Sequence, residues 1–82
     1  MAERFLLLND IDNVKKFVEM SMLQNFDIEL ASGKYIVNAK SIMGIFSLDL
    51  TKPLVMLAHT DSHAELLRQT ARFHFEPQST QY

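Results

Sequence analysis

The segment from Phe26 to Val37 constrains the fold of this chain more than any other. Phe26, Ile28 and Leu30 alternate with Asp27 and Glu29, the period-two pattern of a strand with one face on a core and the other in water. Ala31-Ser32-Gly33 supplies a turn, since Gly33 is able to take the positive φ that a tight hairpin needs. Lys34 to Val37 reads as the returning strand. A sheet of such strands is apolar on one side only, so the helices of the chain must share that side.

The remaining elements follow from shorter signals. Phe5-Leu6-Leu7-Leu8, stopped by Asn9-Asp10, is predicted as the first strand. From Ile11 the apolar residues Val14, Phe17, Val18 and Met22 recur at helical spacing, which predicts a helix ending near Gln24, with Asp10 as cap and Asp12 as negative charge in its first turn. Ser41 precedes Ile42-Met43-Gly44-Ile45-Phe46-Ser47-Leu48, a run long enough for two helical turns, in which Gly44 costs about 1 kcal/mol relative to alanine. Pro53 opens a fourth strand, Leu54-Val55-Met56-Leu57-Ala58. Thr60-Asp61-Ser62 leads into a last helix in which Ser62 and Glu65 have capping-box spacing and Ala64, Leu67 and Ala71 share a face. The order is βαββαβα, an open-faced sandwich of the α+β class.

At 82 residues the chain makes a single domain, expected over 1–76, with the polar residues 77–82 as a frayed tail. The absence of cysteine excludes disulfides, thiol catalysis and cysteine-based metal sites. A net charge of −2 with scattered Lys and Arg gives no footprint for nucleic acid or an anionic membrane. The start Met1-Ala2-Glu3-Arg4 lacks a secretory signal, and no apolar run approaches the ~20 residues of a membrane span, so the expected location is the cytoplasm.

Set in this order of elements, Lys40-Ser41-Ile42-Met43-Gly44-Ile45-Phe46-Ser47-Leu48 resembles the HPr family, the histidine-containing phosphocarrier proteins of the bacterial phosphoenolpyruvate-dependent sugar phosphotransferase system. The resemblance in element order covers residues 3 to about 75. It implies a four-stranded antiparallel sheet with three helices on one face. In that family the phosphocarrier histidine lies between the first strand and first helix, in a Gly-Leu/Ile-His-X-Arg-Pro motif. Here the loop reads Asn9-Asp10-Ile11-Asp12-Asn13, and ungapped matching puts Asp10 at the histidine, Asp12 at the arginine and Asn13 at the proline.

Histidine phosphotransfer is therefore not expected. An acyl phosphate on Asp10 is conceivable, but Asp12 would repel it where the family has a cation, whereas capping and dipole compensation account for both carboxylates without chemistry. His59 and His63 are expected at the sheet end opposite this loop, and His74 far down the last helix. The His59-X-X-X-His63 spacing has no evident third ligand, so neither a metal nor a cofactor is expected.

Ser41 falls on the serine that some bacteria phosphorylate to regulate HPr, and it also suits a helix cap. Ile42, Met43 and Phe46 match the family's hydrophobic contact surface, with Lys40 beside it, while Ile45 and Leu48 are expected to pack inward. The resemblance thus implies a binding or regulatory module rather than an enzyme, with proteins of the phosphotransferase system or their regulators as partners. The alternatives are a phosphoryl carrier with a non-histidine acceptor such as Asp10, and a structural or oligomerisation domain that uses the short helix as a subunit contact.

Overall fold

In the computed structural model, which describes residues 1–61 and 64–75, the elements run β1 (Ala2–Leu6), α1 (Ile11–Met22), β2 (Ile28–Ser32), β3 (Tyr35–Asn38), α2 (Ile42–Phe46), β4 (Leu54–Ala58) and α3 (Ala64–Gln69), followed by a 3-10 turn over Ala71–Phe73. The strands form one antiparallel four-stranded sheet in the order β1-β4-β2-β3. The register aligns Arg4, Met56, Leu30 and Val37 in one row across the sheet, and Phe5, Val55, Ala31 and Ile36 in the next.

Rows of the first kind face the helices. Leu6, Ile28, Leu30, Leu54, Met56 and Ala58 are buried there against Phe17 of α1, Ile45 of α2, Leu66 of α3 and Phe73. Rows of the second kind face solvent, where Phe5 and Ile36 are exposed. The Phe17 and Phe73 rings meet edge to face at 5.8 Å, tying the first helix to the end of the last. This is the one-sided α+β sandwich that the alternating strands predict. Gly33 closes the hairpin with φ 61°.

Several boundaries differ from expectation. β1 begins at Ala2 rather than Phe5, and Leu7 and Leu8 lie beyond it. Arg4 is accommodated at an inward position because its Nη1 donates to the Leu67 carbonyl at 2.7 Å and to the Thr70 hydroxyl at 3.2 Å. A cation thereby completes the carbonyl end of α3 while its stem covers apolar surface. Helix α1 stops at Met22 instead of near Gln24, and β3 is shifted one residue to Tyr35–Asn38. α2 is five residues long, ending before the predicted second turn.

The last helix differs most. It ends at Gln69, where the buried Thr70 hydroxyl donates back to the Leu66 carbonyl at 2.9 Å and the chain tightens into the 3-10 turn. The buried residues are Leu66, Thr70 and Phe73; Ala64 and Ala71 are exposed, and Leu67 is half-buried. Ser62, the expected capping-box partner, lies outside the described residues, as do residues 76–82, the expected tail. Glu65 instead accepts from the Arg68 guanidinium and, at 2.9 Å, from Gln69, bonds that hold its carboxyl below its ordinary range. Beyond Phe73 the chain turns back along β1. Leu7 N–H donates to the Phe73 carbonyl and Phe75 N–H to the Phe5 carbonyl, both at 2.9 Å, making a bridge between Leu6 and His74.

Candidate functional site

The loop between β1 and α1 ends in Asp10, whose extended backbone and side chain cap the helix. Asn13 N–H donates to Asp10 Oδ1 at 2.8 Å, and the Asn13 side-chain amide approaches Oδ2 at 3.4 Å. Within the first turn, Asp12 pairs with Lys16, four residues on, at 3.1 Å. Both carboxylates therefore have local partners. Asp10 and Asp12 are two acids whose geometry is that of a helix start.

The structure corrects one placement here. His74 does not lie far down a helix; its backbone pairs with Leu6, immediately before this loop. The cause is the early end of α3 at Gln69 and the return of residues 73–75 along β1. His59 is where the sequence puts it, at the opposite end of the sheet, with Nε2 3.0 Å from Glu29 Oε1. His63 lies outside the described residues.

The second group of candidates is on α2. Ser41 caps this helix, its Oγ accepting from Gly44 N–H at 3.1 Å, and it is exposed. The Ser47 hydroxyl donates to the Gly44 carbonyl at 2.6 Å, so a serine closes each end of the short helix. Ile45 is fully buried, and Leu48 is buried beyond the helix end, whereas Met43 is 77% and Phe46 41% exposed. Ile42 does not stand fully outward with them; it is half-buried and packs against the core. At about 100° per residue Ile42 falls between the buried Ile45 and the exposed Phe46, so it stands at the rim of the outward face that Met43 and Phe46 share.

Lys40 donates its backbone N–H to Asn38 Oδ1 at 2.8 Å, and its ammonium lies 3.5 Å from the Gln24 carbonyl. The side chain thus reaches the carbonyl end of α1 rather than Ser41. That end also carries Met22 and Leu23, both exposed. Sequence reasoning missed them as exposed apolar residues. Their signal was an apolar pair at the helix end, with Ser21 rather than Met22 taking the inward position.

No family model matches the chain, and no curated protein does. Among solved structures, it is similar to the crystal structure of HPr-C-His from Thermoanaerobacter tengcongensis, with a TM-score of 0.73 and 24% sequence identity over 88% of this chain and 89% of that one. The fold is therefore HPr-like over nearly its whole length.

Proposed function

We propose that this chain is a cytoplasmic, non-catalytic HPr-like binding module. Its docking surface comprises Met43 and Phe46 with the half-buried Ile42, bordered by Lys40. Ser41 is the regulatory phosphoacceptor. Its partners are proteins of the sugar phosphotransferase system or their regulators, and nucleic acid is not among them.

One observation carries this reading: α2 buries Ile45 while presenting Met43 and Phe46 to solvent next to the exposed hydroxyl of Ser41. Flexible and aromatic side chains grouped on a surface suit adaptable protein contacts. The HPr-like fold and the residues 40–48 point to the same class of partner. Against a carrier role stands the Asp10 carboxylate, engaged by Asn13 and followed by a second acid.

The test is site-mapped mass spectrometry after incubation with ATP and a bacterial HPr serine kinase, with Ser41→Ala as control. Binding to phosphotransferase-system proteins is measured in parallel by calorimetry. Modification at Ser41 alone, and binding weakened about tenfold or more by Met43→Glu or Phe46→Asp, are the expected results. Label transferred to the chain from phosphoenolpyruvate by the system's first enzyme, and lost in Asp10→Asn, overturns the non-carrier reading. A concentration-dependent mass abolished by Phe46→Asp assigns α2 to self-association instead.

A further inference from the structure

The two edges of the sheet are treated differently. Residues 73–75 run along the outer side of β1, but no described segment pairs with the outer side of β3. The hairpin closes on Ser32 and Tyr35, and ladder alternation then points the N–H and C=O of Tyr35 and Val37 toward β2 and those of Ile36 and Asn38 away from it. The Asn38 carbonyl is taken by Ser41 N–H at 3.0 Å. Among the described residues, both backbone groups of Ile36 and the N–H of Asn38 remain for another chain. Tyr35 and Ile36 are 69% and 58% exposed.

Alongside this edge lies an open cleft of about 780 Å³ between the hairpin and the loop after α2, lined by Lys34, Tyr35, Val37, Leu48, Asp49 and Lys52 among others. Asp49 is already engaged. It accepts from the Thr51 hydroxyl at 2.6 Å and from Thr51 N–H at 3.1 Å, and Lys52 stands 3.9 Å away. Lys34 has no ion pair among the described residues. The cleft therefore joins an apolar lining to an uncompensated cation, beside unpaired strand backbone.

We propose that β3 takes up an extended acidic segment of a partner protein as an added strand. The segment bonds Ile36 and Asn38 through its backbone. Its alternate side chains enter the cleft, an apolar one against Val37 and Leu48 and a carboxylate against Lys34. A lysine at a sheet edge deters apolar strands from pairing, and opposite an acidic strand the same charge attracts. A second copy of this chain is the poorer occupant, because Lys34-Tyr35-Ile36-Val37-Asn38 offers no carboxylate to meet Lys34. The edge and its cleft share no lining residue with the Met43 and Phe46 surface, so this inference stands apart from the function proposed above.

The experiment is an NMR titration of the isotopically labelled chain with a capped pentapeptide alternating valine and glutamate, against the same peptide with lysine for glutamate. Expected are shifts over Tyr35 to Asn38 and at Lys52, with slowed amide exchange at Ile36 and Asn38. Ile36→Pro, which removes an N–H that bonds nothing among the described residues, should weaken binding by about tenfold or more. Lys34→Glu should transfer the preference to the lysine peptide, a second variant independent of backbone changes. Absence of shifts at about 1 mM glutamate peptide, the weakest range of specific recognition, overturns the proposal. So do shifts centred on Met43 and Phe46, or equal binding of both peptides. A peptide-independent dimer lost in Ile36→Pro gives the edge to a second copy and overturns it as well.

Discussion

Replacing Gly44 by alanine sets helix propensity against packing. Propensity alone predicts a gain of about 1 kcal/mol, since glycine is a poor helix former. In the structure, a Cβ at this position would lie 3.1 Å from Ser41 Oγ, 3.3 Å from Val37 Cβ and 3.4 Å from Ser41 Cβ. Val37 Cβ is fixed to the backbone of β3, so α2 must lift off the strand by a few tenths of an ångström, a strain of about 1–3 kcal/mol. Ser41 Oγ can rotate away only by releasing Gly44 N–H, a further loss of about 1 kcal/mol. The net expectation is a destabilisation of about 1–3 kcal/mol, or about 4–8 °C in Tm for each kcal/mol in a domain of this size. The assay is thermal and urea unfolding of Gly44→Ala in the native background and in Ser41→Ala. In the second background the nearest contact and the cap bond are both gone, so the penalty should shrink by about 1 kcal/mol. A higher midpoint for Gly44→Ala in the native background refutes the claim that close approach of α2 to β3 requires glycine here.

Three other outcomes follow from buried or paired polar groups. Ser21 is fully buried, and its hydroxyl has no partner among the described residues, so Ser21→Ala should raise stability by up to about 1 kcal/mol in urea unfolding; a clear loss would reveal a bond to that hydroxyl. Arg4→Met keeps an apolar stem but strips the donors from the Leu67 carbonyl and Thr70 hydroxyl, with an expected cost of about 2–3 kcal/mol; an unchanged midpoint would show that Arg4 only borders α3. Asp49 is held below its ordinary 3.8 by the Thr51 hydroxyl and N–H, and Glu65 below its ordinary 4.5 by Arg68 and Gln69. Folding thus lowers both pKa values, so their stabilisation is present above the ordinary values and is lost as pH falls through the lowered ones. Asp49→Asn with Glu65→Gln should flatten the acid limb of a stability-against-pH curve, and an unaltered acid limb would contradict this.

Much of the architecture was legible because local pattern and tertiary demand agree. The alternation from Ile28 to Leu30, the helical spacing from Val14 to Val18, and the caps at Asp10 and Ser41 all appear where the residues put them. The misses fall where one buried interaction outweighs pattern. Arg4 gave no sign that it would enter the helix face of the sheet, because its partner is the carbonyl end of a helix more than sixty residues away. The face of α3 was misread because Ala64 and Ala71 are small apolar residues without the volume to fill the core, while Thr70 could be buried by bonding its own helix. His74 followed that error. For the candidate site, the resemblance singled out residues 40–48, and the structure separates Ile42 from Met43 and Phe46 by burial. The open edge of β3 depends on strand order, which the hydrophobic pattern does not encode.

That strand order also governs when the molecule can fold. β4 sits between β1 and β2, so β1 has no hydrogen-bonding neighbour except residues from beyond position 53. During synthesis the β2–β3 hairpin and α1 can form from neighbouring residues, but β1 waits as an unpaired strand until β4 and then Phe73 arrive. β1, made before every other element of the fold, is among the last secured. Ribosome-bound fragments ending before Leu54 should therefore be protease-sensitive throughout β1, and interruption of translation there would release chains with an exposed pairing edge.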